Sequence, residues 1–437
     1  MAQSELFRRA YAQLKAGNAA EARRLFRENE ERTGTATGTA ALLRQAEQHL
    51  TQGDLNGAAR LYEQLLERNP SLPEVYFGLT RIALGTGRYD SARTHATAAM
   101  TLAPEVGLTW TLMGLVHEAE GDLDTALSNL RRGVELSPSV FLCLLNLGRV
   151  LASEGNPAEG ISPLLAATRL EPGNANGFYT LGMAYKQARQ DDNAIRAFEK
   201  ATELAPKSLD TWATLADVLF QVGDFQATRA TLERALVACG DHPALLEKAL
   251  AAAMMLNDVQ GAIGYVEREL ALVPGHEKGW LNLANLTLLA RDFERSEKAA
   301  RELLRRNPNN WEAWYHLGNL FEAVPLERDA EEAYRKAVEL APDNWKPLTN
   351  LAGLLIQLSA KDKNAEAVPL LEKALTLAPR GEWRVHYNLA LAHTKLGQRE
   401  QALALAQKIQ REAPSDNAMV AQARKLESNL REAALRH

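Results

Sequence analysis

Residues 175–206 read ANGFYTLGMAYKQARQDDNAIRAFEKATELAP. Phe178, Leu181 and Tyr185 fall at i, i+3 and i+7, so they share one apolar helix face. Ala194, Ile195, Phe198 and Ala201 do the same for a second helix. Gly182 and Ala194 are small where two such helices must approach. Pro206 cannot continue a helix and marks the stop. One hairpin of this kind cannot bury both its faces and needs copies of itself on either side.

The copies are present. Prolines stand at 70, 104, 138, 172 and 206, each 34 residues apart, and Gly240 takes the next slot. Pro274, Pro308 and Pro342 keep the step. Pro379 then comes 37 residues later and Pro414 comes 35 after that. The extra residues of the first slip are assigned to Ser359–Asn364, SAKDKN, as a polar turn between two helices.

The spacing of Phe178, Leu181-Gly182, Tyr185, Ala194, Phe198, Ala201 and Pro206 resembles the tetratricopeptide repeat, and 34 residues is that family's period. The resemblance covers nearly the whole chain. It implies an all-α solenoid, a right-handed superhelix of about twelve helix-turn-helix repeats with a C-terminal capping helix. It also implies a concave face lined by the first helix of each pair, where proteins or peptides bind. The superhelical repeat half of the O-linked N-acetylglucosamine transferases is similar.

In order, residues 1–38 read as an imperfect hairpin over 3–30 and a Thr/Gly linker, Thr33 to Gly38. The glycines there are followed by no Gly-Lys-Ser/Thr, so a joint is favoured over a phosphate loop. Residues 39–242 form a first half-array. Residues 243–274 are a degenerate repeat marked by Met254 and Met255, read as a softer joint. Residues 275–415 form a second half-array, and 416–437 a capping helix striped by Val420, Ala423, Leu426 and Leu430.

The chain has 437 residues, 46 % of them apolar, and a net charge of −5. That charge argues against nucleic acid held through backbone phosphates. Cys143 and Cys239 make no CxxC pair and no disulfide framework, which suits a reducing compartment. The N-terminus lacks a signal-peptide pattern, and no apolar run spans a membrane. The expectation is a cytoplasmic protein with no membrane partner, no cofactor and no metal site.

By the resemblance, repeat positions 2, 5, 6, 9 and 12 of each first helix point inward. Asn146, Asn282, Asn350, Asn388 and His316 occupy position 6, and Asn285 and Asn319 occupy position 9. An amide both donates and accepts, so it can pair with the backbone of an extended peptide whatever its sequence. Lys278, Tyr315, Lys346, Arg384 and Tyr387 lie beside these amides and suit a peptide carrying carboxylates. No repeat has Lys or Arg at position 5, so chaperone C-terminal tails are not expected.

The N-terminal half places Phe77, Leu108, Leu115, Leu142 and Leu145 at inward positions, an apolar patch that needs a partner segment or a second copy of the chain. No HExxH or GxSxG occurs, and His386 and His393 fall at core slots. The expected function is a non-enzymatic scaffold or adaptor that holds a protein or peptide. The alternatives are a recruiting subunit of a separate glycosyl- or sulfotransferase and, against the charge balance, an RNA-binding repeat.

Overall fold

The computed structural model describes residues 39–154 and 156–435, with isolated residues among the first 38. The hairpin expected over 3–30 and the Thr33–Gly38 linker fall largely outside the described residues. Among the described residues, the regular secondary structure is entirely α-helical.

The chain divides into two compact units, residues 1–224 and 225–437. The first holds α1 (Thr39–Thr51), α2 (Leu55–Arg68), α3 (Pro73–Gly85), α4 (Tyr89–Leu102), α5 (Gly107–Ala119), α6 (Leu123–Leu136), α7 (Phe141–Ser153), α8 (Pro157–Leu170), α9 (Ala175–Gln187), α10 (Asp191–Leu204) and α11 (Leu209–Gln221). The second holds α12 (Phe225–Cys239), α13 (Pro243–Met255), α14 (Val259–Leu272), α15 (Glu277–Leu289), α16 (Phe293–Arg306), α17 (Trp311–Ala323), α18 (Glu327–Leu340), α19 (Trp345–Gln357), α20 (Lys361–Leu377), α21 (Trp383–Lys395), α22 (Arg399–Glu412) and α23 (Ala418–Leu435). Residues 243–274, the degenerate repeat, fold as the hairpin α13–α14 inside the second unit.

Within each unit, each helix packs on the next along the chain. First helices also meet the first helices of neighbouring repeats, as α3 meets α5 and α19 meets α21. The small-for-large fit inside a hairpin is tight. A Cβ on Gly182 would stand 2.7 Å from the Phe198 ring, and one on Gly318 would stand 2.3 Å from the Tyr334 ring. Phe198 and Tyr334 are fully buried as a result.

In nine of the described hairpins the turn holds one residue in the left-handed region. Gly53, Gly87, Gly121, Gly223 and Gly397 supply it at φ between +69° and +84°. Arg189, Asn257, Arg291 and Ser359 supply it at φ between +56° and +60°, where a Cβ is costly. In four hairpins the second helix starts behind a side-chain cap. Asp54, Asp122, Asp258 and Asp292 each accept a backbone N–H three residues ahead.

The expected turn at Ser359–Asn364 is corrected by the structure. Only Leu358, Ser359 and Ala360 separate α19 from α20, and α20 runs 17 residues where α16 and α18 run 14. The extra residues lengthen the helix at its N-terminus. Asn364 N–H donates to Ala360 O, and Asp362 sits in the first turn, where a negative charge favours the helix.

The C-terminal helix α23 covers the last hairpin. Val420, Ala423, Leu426 and Leu430 are buried against residues of α21 and α22. Among the described residues, no helix is long and apolar enough to cross a membrane.

Candidate functional site

Four consecutive first helices of the second unit, α15, α17, α19 and α21, carry the inward polar residues. The structure joins several of them into two hydrogen-bonded groups across neighbouring helices. Asn285 Oδ1 lies 2.8 Å from His316 Nδ1, linking α15 to α17. Asn350 Nδ2 donates to Asn319 Oδ1 at 2.8 Å and to the Tyr315 hydroxyl at 3.1 Å, linking α19 to α17. Arg384 donates to Asn350 Oδ1 at 3.2 Å, linking α21 to α19.

Below the second group, the Tyr334 hydroxyl on α18 reaches both Asn319 Oδ1 and Glu322 Oε2 at 2.8 Å. Burial, with the Glu322 carboxylate close by, pushes the Tyr334 phenol well above its usual range. It is therefore a donor at every ordinary pH. Gln357 donates to the other Glu322 oxygen at 3.3 Å.

A cavity of about 250 Å³ opens on this face. Glu322, Thr349, Asn350, Gly353, Gln357, Arg384 and Asn388 line it, with Ile356 and Leu391. Gly353 occupies the register held by Asn285 and Asn319 in the two preceding repeats, so the missing side chain makes the room. Asn282 and Asn388 are half-buried, and Lys346 is exposed at the start of α19. Lys278 is exposed and pairs with Glu247 at 3.5 Å.

The burial of His316 corrects one sequence expectation. His316 is 1 % exposed, so it cannot touch a ligand. Its Nε2 lies 2.8 Å from Ser296 Oγ, and burial holds its pKa down to about 4. Ser296, on α16, is fully buried and was not among the sequence candidates, because position alone does not announce a hydroxyl facing a neighbouring repeat. Tyr387 is half-buried and packs against the α23 cluster of Leu426 and Leu430. Asn146 donates to Leu142 O of its own helix at 2.8 Å.

In the apolar set of the first unit, one residue is also corrected. Leu145 is 5 % exposed and belongs to a core cluster with Phe141, Leu164 and Leu181. Phe77, Leu115 and Leu142 are half-buried and pack against such clusters, and Leu108 is half-buried too. Leu145 is thus covered, while the other four stay partly exposed. The inner helices of this unit are joined instead by ion pairs, Arg81 with Glu47 at 3.0 Å and Arg149 with Glu118 at 2.6 Å.

A larger cavity, about 860 Å³, lies on the second-helix side between α14 and α16. Leu270, Leu283 and Trp280 form its wall. Its cations Arg295, Arg301 and Arg305 are already paired with Glu267, Glu297 and Glu302. Lys298 and Glu294 also line it, and both are exposed on the outer face of α16.

Residues 285–420 match the cytochrome c-type biogenesis protein H TPR domain. Tetratricopeptide repeat families match residues 6–28, 49–105, 111–175, 175–208 and 213–277. No curated protein matches the chain. Among solved structures, a thermophilic TPR protein of Thermus thermophilus is similar at 25 % identity, covering 42 % of this chain and 100 % of that one, with a TM-score of 0.39. Yeast Tom70 is similar at 15 % identity, covering 91 % and 96 %, with a TM-score of 0.41. A tetratricopeptide repeat protein of Parabacteroides merdae is similar at 14 % identity, covering 59 % and 98 %, with a TM-score of 0.42. With the 34-residue step, the glycine-on-aromatic packing and the family matches together, this chain belongs to the tetratricopeptide repeat proteins.

Proposed function

We propose that the protein is a non-enzymatic scaffold that holds an extended peptide segment of a partner protein along α15, α17, α19 and α21. The observation that carries this reading is the cavity of about 250 Å³ lined by Asn350, Gln357, Arg384 and Asn388. Amide and guanidinium arms around a hollow left by Gly353 suit a backbone, because a backbone brings a donor and an acceptor at every residue. Arg384 and Lys346 favour a segment that also carries carboxylates.

The test is selection of a displayed random peptide library on the purified protein. Peptides that bind the wild type and lose at least tenfold in affinity on Asn319→Ala/Asn388→Ala, with unchanged thermal unfolding, support the groove. Selected peptides that bind the double variant equally well remove it.

The match of residues 285–420 to a cytochrome c-type biogenesis domain favours a second, more specific reading. In it the partner segment comes from a c-type cytochrome chain before its haem is attached, recognisable by Cys-x-x-Cys-His. A fluorescent peptide of that type should bind at least tenfold more tightly than its scrambled form. Equal binding of both would confine the protein to general peptide capture.

A further inference from the structure

Asn285 and Asn319 stand 34 residues apart, at the same place in consecutive first helices. Each meets the side chain 31 residues further on, His316 or Asn350, at 2.8 Å. The heavy atoms are arranged alike at both rungs. The protons are not.

At the Asn319 rung the direction is set from Arg384. A guanidinium only donates, so Asn350 turns Oδ1 toward it, 3.2 Å away. The Asn350 –NH2 then faces Asn319 and donates to its Oδ1. The Tyr334 hydroxyl lies 2.8 Å from the same oxygen and 2.8 Å from Glu322 Oε2. Its single proton is shared between them, so the orientation of Asn319 is set by Asn350. Asn319 keeps its –NH2 for the groove.

At the Asn285 rung the direction is set from Ser296. Ser296 Oγ lies 2.8 Å from Ala284 O and 2.8 Å from His316 Nε2. A carbonyl carries no hydrogen, so the one hydroxyl proton lies between Oγ and Ala284 O. Ser296 Oγ must then accept from Nε2–H. With Asn285 Oδ1 against the ring, Nδ1 would need a proton as well, and the ring would be an imidazolium. His316 is 1 % exposed, and burial opposes that charge. In the neutral ring Nδ1 is a bare acceptor. The two arms of an amide occupy nearly the same volume, and the network decides between them. Against an acceptor, it is the –NH2 of Asn285 that bonds.

We infer that the two rungs face the groove with opposite chemistry: Asn285 presents a carbonyl oxygen and Asn319 an –NH2, with His316 as the positioning residue that inverts the first. A segment lying across both must bring an N–H to Asn285 and a carbonyl or carboxylate oxygen to Asn319. The partner chemistry rests on the groove reading above. The proton assignment does not, since it concerns the unliganded protein.

The test is nitrogen-15 NMR of the full chain at pH 7, labelled in histidine and asparagine, without ligand. The expected result is His316 protonated at Nε2 alone, with a scalar coupling between Nδ1 and the Asn285 side-chain nitrogen. Ser296→Ala removes the acceptor and shifts the ring toward the Nδ1–H form. His316→Asn abolishes the coupling. A wild-type ring protonated at Nδ1 alone, or at both nitrogens, overturns the assignment whether or not any peptide binds. Failure of library peptides to bind, with the tautomer as expected, counts against the groove alone.

Discussion

Trp280 donates its indole N–H to the carbonyl oxygen of Pro274, six residues upstream, at 2.8 Å. The same bond recurs from Trp110 to Pro104 and Trp212 to Pro206 at 2.8 Å, and from Trp314 to Pro308 at 3.0 Å. In an earlier repeat the Tyr76 hydroxyl reaches Pro70 O at 3.0 Å. The proline ends one repeat, and the aromatic of the next repeat's first helix ties the connecting turn down. Each bond closes a junction between repeats.

Trp314→Phe keeps most of the ring and removes the N–H. We expect it to lower the stability of the second unit by about 1 kcal/mol, the net worth of one such hydrogen bond. Chemical denaturation followed by circular dichroism reads this directly. A change indistinguishable from zero would show that water replaces the indole at no cost.

Two glycine-to-alanine changes should have opposite signs. At Gly318 a Cβ would meet the buried Tyr334 ring at 2.3 Å, so Gly318→Ala must displace that ring and costs about 2 kcal/mol or more. At Gly264, inside α14, nothing lies within 4 Å of an added Cβ. Gly264→Ala should stabilise by about 0.5–1 kcal/mol, the helix-interior difference between the two residues. Melting curves of the two variants beside the wild type decide the matter.

The hairpin turns offer a second gain. Arg291 holds φ at +60°, where its Cβ is strained and a glycine is not. Arg291→Gly should raise stability by up to about 1 kcal/mol, the relief of strain less the extra chain entropy of glycine. Gly223→Ala, at φ +84°, should lower it by about 1–2 kcal/mol. Loss of stability in Arg291→Gly would mean that the arginine makes contacts that outweigh its backbone strain.

His316 makes the second unit sensitive to acid. Its pKa is about 4 in the fold, because of burial, while an unfolded histidine titrates near 6.5. Between those values the unfolded chain takes up a proton that the folded chain refuses, so stability falls as pH drops through this window. The site contributes a loss of about 3 kcal/mol between pH 6.5 and 4. Denaturation midpoints across that range should be steeper for the wild type than for His316→Asn. Parallel curves would place the proton uptake elsewhere.

Much of the fold is readable from sequence because its determinants are local and repeated. The aromatic-to-proline spacing is a hydrogen bond, Gly182 and Gly318 are hollows for rings, and Asp54 and its counterparts are caps. The insert at Ser359–Asn364 has a composition that suits a turn, yet Asp362 favours a helix N-terminus and Lys363 is held by Glu331 of α18. Single inner-face positions were harder. The repeat register places Asn319 and Asn350 next to each other, and they do bond. It puts His316 in the same slot, but Ser296 and Asn285 enclose it. Tyr387 packs toward α23, and Leu145 is covered by neighbouring repeats, because what lies beside an inner position depends on the adjoining repeat and not on the period.

The most direct measurement is the response of asparagine side-chain amide signals to a library-selected peptide, titrated into asparagine-labelled full-length protein. The account predicts saturable shifts of the Asn319, Asn350 and Asn388 amides together, with Asn193 and Asn307 on second helices or their ends unmoved. Tight binding that leaves those three signals unchanged would contradict it.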